Sequence, residues 1–246
     1  MSLAVIVRVR NEPYIEEFCN WYFFQGADHI YIIDDNLPDY SFPSSITNHS
    51  SITISEARWA LKGKQNYIIN SQSLDYNIVF WKHRQKHKWI IICDADEYIC
   101  PGPANFRGTI LEYLRGRDEV CLHVPWVMMS YVQDTNPEKL LTTNNRLSLF
   151  NKNERRTQRG RSFHHTWSFK TIYNRRTLLI PGVHIPMFES PLLGKGAMTK
   201  KQMIESYVNS GEETWDNWFQ RQPLLCFHYR FFSKEAINAK MQNWSF

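Results

Sequence analysis

The sequence predicts an α/β fold: an open, mostly parallel sheet with helices on both faces, whose front half is Rossmann-like. Three observations carry this. Leu3-Ala4-Val5-Ile6-Val7 and His29-Ile30-Tyr31-Ile32-Ile33 are β-branched runs on either side of a helical pattern, and strand, helix, strand within about 30 residues is a βαβ unit with a right-handed crossover. Trp89-Ile90-Ile91-Ile92-Cys93 is apolar at every position, as in a strand covered on both faces. Two of these runs then meet acid, at Asp34-Asp35 and at Asp94-Ala95-Asp96-Glu97, and open α/β sheets bind ligands at the carboxyl ends of their strands.

Taken in order, Leu3 to Val9 forms the first strand. Asn11 or Glu12 caps a helix with Pro13 in its first turn, where a missing N–H costs nothing. Ile15, Phe18, Cys19 and Tyr22 repeat at helical spacing as its buried stripe, and Gly26 ends it. After the strand at His29 to Ile33, the Ser-, Pro- and Asn-rich segment from Leu37 to Ser51 is a loop, and Ile52-Thr53-Ile54 a short third strand. Lys64 to His83 lacks Pro and Gly and predicts a long helix leading to the strand at Trp89. Beyond Pro101-Gly102 come a short helix near Thr109 to Leu114 and a strand from Val120 to Val124 leading to Pro125-Trp126. In the less regular second half, strands are expected at Arg146–Phe150, Phe169–Tyr173, Thr177–Ile180 and Leu224–Tyr229, with helices at Thr199–Tyr207 and after Ser233. No linker composition or repeat divides the 246 residues, so one domain is expected, with a nucleotide-binding front half at about 1–125 and a second half at about 126–246.

Hydrophobic residues at 43 % and charged residues at 22 % fit a soluble globular chain, and exclude a disordered one. A formal charge of +5 suits an anionic nucleotide-linked substrate and is too small to require nucleic acid. Five dispersed cysteines without a Cys-X-X-Cys pair argue against a disulfide framework and a structural zinc site, which places the chain in a reducing, cytoplasmic compartment. No stretch approaches the roughly 20 apolar residues of a membrane span.

The chemistry centres on Asp94 and Asp96. If the strand continues, residues two apart project from one side, and two carboxylates in one small space repel unless a cation lies between them. Oxygen ligands suit Mn²⁺ or Mg²⁺, which leave positions for water and a substrate phosphate. The plain alternative is a turn that ends a strand.

Val7-Arg8-Val9-Arg10-Asn11-Glu12-Pro13-Tyr14-Ile15-Glu16-Glu17-Phe18, Trp21, and Gly26-Ala27-Asp28-His29-Ile30-Tyr31-Ile32-Ile33-Asp34-Asp35-Asn36 resemble the opening of GT-A glycosyltransferases related to families 2 and 92. Asp94-Ala95-Asp96-Glu97-Tyr98-Ile99 is similar to their metal motif, and Phe169-Lys170, His184 and His228-Tyr229-Arg230 with Ser233 are similar to later blocks. The resemblance spans nearly the whole chain and is densest in its front half. It implies a GT-A-like sheet and transfer of a sugar from a nucleoside diphosphate donor, UDP-linked, to a hydroxyl of a glycan or other acceptor. It further implies that Arg10, Asn11, Asp34 and Asp35 hold the nucleoside, with Lys64 and Gln65 near the donor. Asp94, Asp96 and His228 would hold the cation, with Asp94 also able to meet the ribose, and Lys170 and Arg230 would stabilise the leaving diphosphate. An inverting reaction needs a carboxylate base, for which Asp134 and Glu189 are alternatives, and Trp126 or Trp167 could stack on the acceptor or simply be buried.

Other functions stay in play. A haloacid-dehalogenase-like phosphatase also places Asp-X-Asp after a buried strand, although Tyr98 stands where that motif carries Thr or Val. A sugar nucleotidyltransferase would need a Gly-rich loop where Arg10-Asn11-Glu12-Pro13 stands. A non-catalytic sugar-binding or nucleic-acid-binding module could use the aromatic residues and the basic cluster from Arg155 to Arg176.

Overall fold

The computed structural model describes residues 1–58, 71–102, 108–128, 169–178, 180–182 and 222–229. Its elements are β1 (Leu3–Val9), α1 (Ile15–Phe24), β2 (His29–Asp34), α2 (Ser44–Thr47), β3 (Ile52–Glu56), α3 (Ser71–His83), β4 (Trp89–Asp94), β5 (Glu97–Pro101), α4 (Ile110–Tyr113), β6 (Cys121–Met128), β7 (Phe169–Asn174) and β8 (Leu224–His228). The eight strands form one sheet in the order β3-β2-β1-β4-β7-β6-β8-β5. β3, β2, β1 and β4 run parallel, then β7 pairs antiparallel with both β4 and β6. β8 lies parallel to β6 and antiparallel to β5. This is the expected mostly parallel α/β sheet.

Alternation along the central strands builds two cores. Leu3, Val5, Val7, Ile30, Ile32, Trp89, Ile91 and Cys93 face α1, whose stripe of Ile15, Phe18, Cys19 and Tyr22 is buried as its spacing predicts. Ala4, Ile6, Tyr31, Ile33, Ile90 and Ile92 face the other way, onto Tyr76, Val79 and Phe80 of α3. Because both faces are covered, these strands read as continuous apolar runs.

Several expectations are corrected. α1 begins at Ile15 with Tyr14 as its N-cap residue, so Pro13 precedes the helix and neither Asn11 nor Glu12 caps it. Asn11 instead adopts a left-handed backbone with φ 51°, a conformation that Asn tolerates. The Leu37–Ser51 loop contains the one-turn helix α2. Of the predicted Lys64–His83 helix, Ser71–His83 is described as α3. Of the strand expected at 177–180, the described residues Thr177, Leu178 and Ile180 are not in a strand: the chain turns back after β7, Thr177 N–H donating to the Asn174 carbonyl, and Leu178 is exposed. β6 continues through Pro125, the point where its pairing with β7 ends and its pairing with β8 begins, a break that tolerates a missing N–H. The strands and helices expected at 146–150, at 199–207 and after Ser233 lie outside the described residues.

Two glycines are demanded by the packing. Gly26, at φ 91°, turns the chain out of α1, and Gly102 runs so close to the Gln222–Pro223 backbone that an added Cβ would fall 1.7 Å from the Gln222 carbonyl oxygen. All five cysteines are free thiols, and burial pushes Cys19, Cys100 and Cys121 up to about 12. Among the described residues, no helix is long and apolar enough to cross a membrane.

Candidate active site

The carboxyl ends of β1, β2 and β4 bring the two acidic segments to one edge. The register sets Arg8 opposite Asp94 and Val9 opposite Asp34, so this edge carries three charged positions on adjacent strands. The edge is held by loop contacts. Asn36 donates to Asp34 Oδ1 from its backbone N–H at 3.0 Å and its side-chain amide at 2.7 Å. Asn11 N–H donates to Asn36 Oδ1, and Asn11 Oδ1 accepts from Leu37 N–H at 3.1 Å, which ties the loop after β1 to the loop after β2. Arg10 is exposed at the same edge.

Arg8, an ionised residue within an apolar strand, is the first site feature that the sequence reading missed. Its guanidinium lies 3.0 Å from Asp35 Oδ2 and 3.5 Å from Asp75 Oδ2, with all three side chains nearly buried. One fork can meet two carboxylates in this way because guanidinium donors are planar and divergent. Asp75 also accepts from Arg58 N–H at 3.1 Å.

At the end of β4 the chain does not stay extended. Ala95 and Asp96 form a turn and β5 starts at Glu97, so the expectation that Asp94 and Asp96 project together from one strand is replaced by two separate environments. Asp94 Oδ1 accepts from Gln72 at 2.6 Å and from the Tyr76 hydroxyl at 3.2 Å, while Oδ2 lies 3.0 Å from the Lys170 ammonium. Gln72, Asp75 and Tyr76 are spaced i, i+3, i+4 and so share one face of α3. Lys170 also reaches Glu97 Oε2 at 2.7 Å, and the same oxygen accepts from Asp94 N–H at 2.8 Å.

Charge balance explains this cluster. Burial pushes the Glu97 carboxyl up to about 7, although Lys170 pulls it down. Burial works against the Lys170 ammonium too, but Asp94 and Glu97 together hold it well above its ordinary range. Lys170 is fully buried and is an internal counter-ion of the acidic motif. Trp126 is also buried and packs on His228 with ring centroids 4.4 Å apart, which makes it a wall of the site.

Asp96 takes the other side of the turn. Its Oδ1 lies 3.4 Å from His228 Nε2, and β5·β8 pairing sets His228 opposite Glu97. Tyr229 N–H donates to the Asp96 carbonyl at 2.8 Å, which fixes the turn to the end of β8. Glu97 Oε1 and His228 Nδ1 are buried 3.9 Å apart, each without a hydrogen bond among the described residues. From below, the Tyr22 hydroxyl of α1 donates to the Glu97 carbonyl at 2.9 Å and accepts from Ile99 N–H at 3.2 Å.

No family model matches this chain, and no curated protein does. Among 104 matching chains of solved structures, one is described as a putative glucose-1-phosphate thymidylyltransferase from Bacillus anthracis in complex with a sucrose. It is 10% identical with a TM-score of 0.31, over 56% of this chain and 62% of that one. The match thus spans less than two thirds of that protein's length, and a likeness of this size bears on neither fold nor chemistry.

The site must therefore be weighed on its own donors. Two ligands of one divalent ion at about 2.1 Å stand about 3.0–3.4 Å apart, so Asp96 Oδ1 and His228 Nε2 have the separation of a ligand pair. Among the described residues no third His, Cys, Asp or Glu completes a metal-binding group, and Asp94 is turned toward Gln72, Tyr76 and Lys170. An ion held by this pair alone would take its remaining positions from water and phosphate. Lys64, Gln65, Asp134, Glu189 and Arg230, together with Trp167 and His184, lie outside the described residues.

Proposed function

We propose that this chain is a metal-dependent glycosyltransferase that moves a sugar from a nucleoside diphosphate donor, UDP-linked, to a hydroxyl of a glycan or other acceptor. The observation that carries the reading is the Asp96–His228 pair, 3.4 Å apart beside the carboxyl end of β4 and backed by the ion-paired Asp94–Lys170–Glu97 cluster. The resemblance of the front half to GT-A enzymes supports it.

Asp96 and His228 hold Mn²⁺ or Mg²⁺, with Asp94 as the neighbouring carboxylate; when bound, the cation offsets the charge of the diphosphate. Lys170 offsets the repulsion between Asp94 and Glu97, and with Gln72 and Tyr76 keeps the Asp94 carboxylate in one orientation. Arg10, Asn11, Asp34 and Asp35 line the nucleoside end, where Arg8 fixes Asp35 and Asn36 fixes Asp34. Lys64, Gln65 and Arg230 add donor contacts. Asp134 or Glu189 accepts the proton of the attacking hydroxyl on the face opposite the leaving group, giving inversion.

Calorimetric titration of UDP, GDP and CDP, with and without Mn²⁺, tests the reading on the wild type and on Asp96→Ala. Binding of one nucleotide only with Mn²⁺, lost in the variant, is the expected result. Absence of nucleotide binding under every metal condition would remove the donor site and with it the proposal.

A further inference from the structure

The outer face of α3 is apolar where a surface helix is ordinarily polar. Its inner face, with Tyr76, Val79 and Phe80, is spent in the core, yet Leu74 and Trp81, seven residues apart on the opposite side, are each 41% exposed. Two further apolar side chains join them from the segment after β7: Leu178 at 77% exposure and Ile180 at 37%. The four belong to one surface because the segment is fastened to the helix. Asn77 donates to the Pro181 carbonyl at 2.7 Å, and Arg84 donates to the Thr177 carbonyl at 2.7 Å while its guanidinium lies 4.2 Å from the centre of the Trp81 ring.

The exposed charges of the two segments that form this patch have one sign. Ser71–Lys88 and Arg175–Gly182 contain Lys82, Arg84, Lys86, Lys88, Arg175 and Arg176, and their sole acid, Asp75, is buried against Arg8. Lys88 and Arg176 are directed to the Arg117 carbonyl and to Asp118. Lys82, Lys86 and Arg175 are exposed on the same two segments. A tryptophan and aliphatic side chains within a cationic border are the composition of a surface that lies in the headgroup layer of a bilayer.

We infer that the outer face of α3, with Trp81, Leu74, Leu178 and Ile180, docks on an anionic lipid surface as a peripheral contact. This goes beyond the transferase reading and does not depend on it. Apolar side chains enter the acyl boundary while Lys82, Lys86 and Arg175 meet lipid phosphate and carboxylate groups, so both apolar area and anionic lipid are required. A second copy of this chain would place these cations against each other across a two-fold contact, which disfavours it as the occupant.

Co-sedimentation of the full chain with phosphatidylcholine vesicles, with and without phosphatidylserine, tests this. The wild type should pellet with the phosphatidylserine vesicles and not with the neutral ones, and high salt should release it. Leu178→Ser and Lys82→Glu alter exposed side chains and should each weaken partitioning at least about fivefold with unchanged thermal melts. Equal recovery on both vesicle types, no recovery on either, or variants that partition like the wild type would overturn the inference. So would a concentration-dependent dimer that Leu178→Ser disperses, which would assign the face to a second copy.

Discussion

Lys170 Nζ lies 2.7 Å from Glu97 Oε2 with neither side chain exposed. A buried ion pair is costly to desolvate, and breaking it by removing one partner is costlier, because the other charge remains inside without compensation. Lys170→Met should therefore destabilise the protein by roughly 3–5 kcal/mol in urea denaturation. Lys170→Met/Glu97→Leu should recover most of that loss, since Asp94 is the partly exposed member of the cluster and water can reach it. Equal instability of the single and double variants would mean that the pair is not what the lysine supports.

A second coupling links β1 to α3 through Arg8. Arg8→Ala leaves Asp35 and Asp75 facing each other in a nearly buried space, and the expected cost is about 2–4 kcal/mol. Arg8→Lys should rescue little, because one ammonium cannot present the divergent donors that meet both carboxylates. A double-mutant cycle between Arg8→Ala and Asp75→Asn should show a coupling of at least about 1 kcal/mol. Additive losses would show that the 3.5 Å contact carries no weight.

The parts of this architecture that the sequence discloses are those set by local pattern. The α1 stripe and the β1, β2 and β4 runs follow from spacing and β-branching, and their burial agrees with that reading. The acidic turn is different. Asp94 and Asp96 part company because β5 begins at Glu97 and pairs with β8, a strand from the far end of the chain, and spacing near residue 94 holds no sign of that partner. Lys170 and His228 enter the reading through resemblance, yet the burial of Lys170 depends on Asp94 and Glu97 from other strands. Arg8, Gln72, Asp75 and Tyr76 did leave a trace: a cation inside an apolar strand, and polar residues at i, i+3, i+4 on a helix face that otherwise packs on the sheet. A buried Arg calls for carboxylate partners, which Asp35 and Asp75 supply.

The opposite end of the sheet makes the fold sensitive to acid. The Tyr31 ring stacks on His83 with centroids 4.2 Å apart, the Tyr31 hydroxyl lies 2.9 Å from His87 Nε2, and the His29 ring is 4.5 Å from the Tyr31 ring. Burial, then Lys86, Lys82 and the neighbouring histidines, lower His83 from 6.5 to about 4, and burial also lowers His29 and His87. At His83 the unfolded chain takes up its proton near pH 6.5, whereas the folded state resists until about pH 4. The stability that neutral His83 contributes is therefore complete above pH 6.5 and is lost as the pH falls toward 4. His83→Phe keeps an aromatic ring against Tyr31 and removes one titrating group. Urea denaturation across this range should show a flatter acid loss for His83→Phe than for the wild type, with similar stability at neutral pH. Parallel curves would show that His83 does not carry the acid loss.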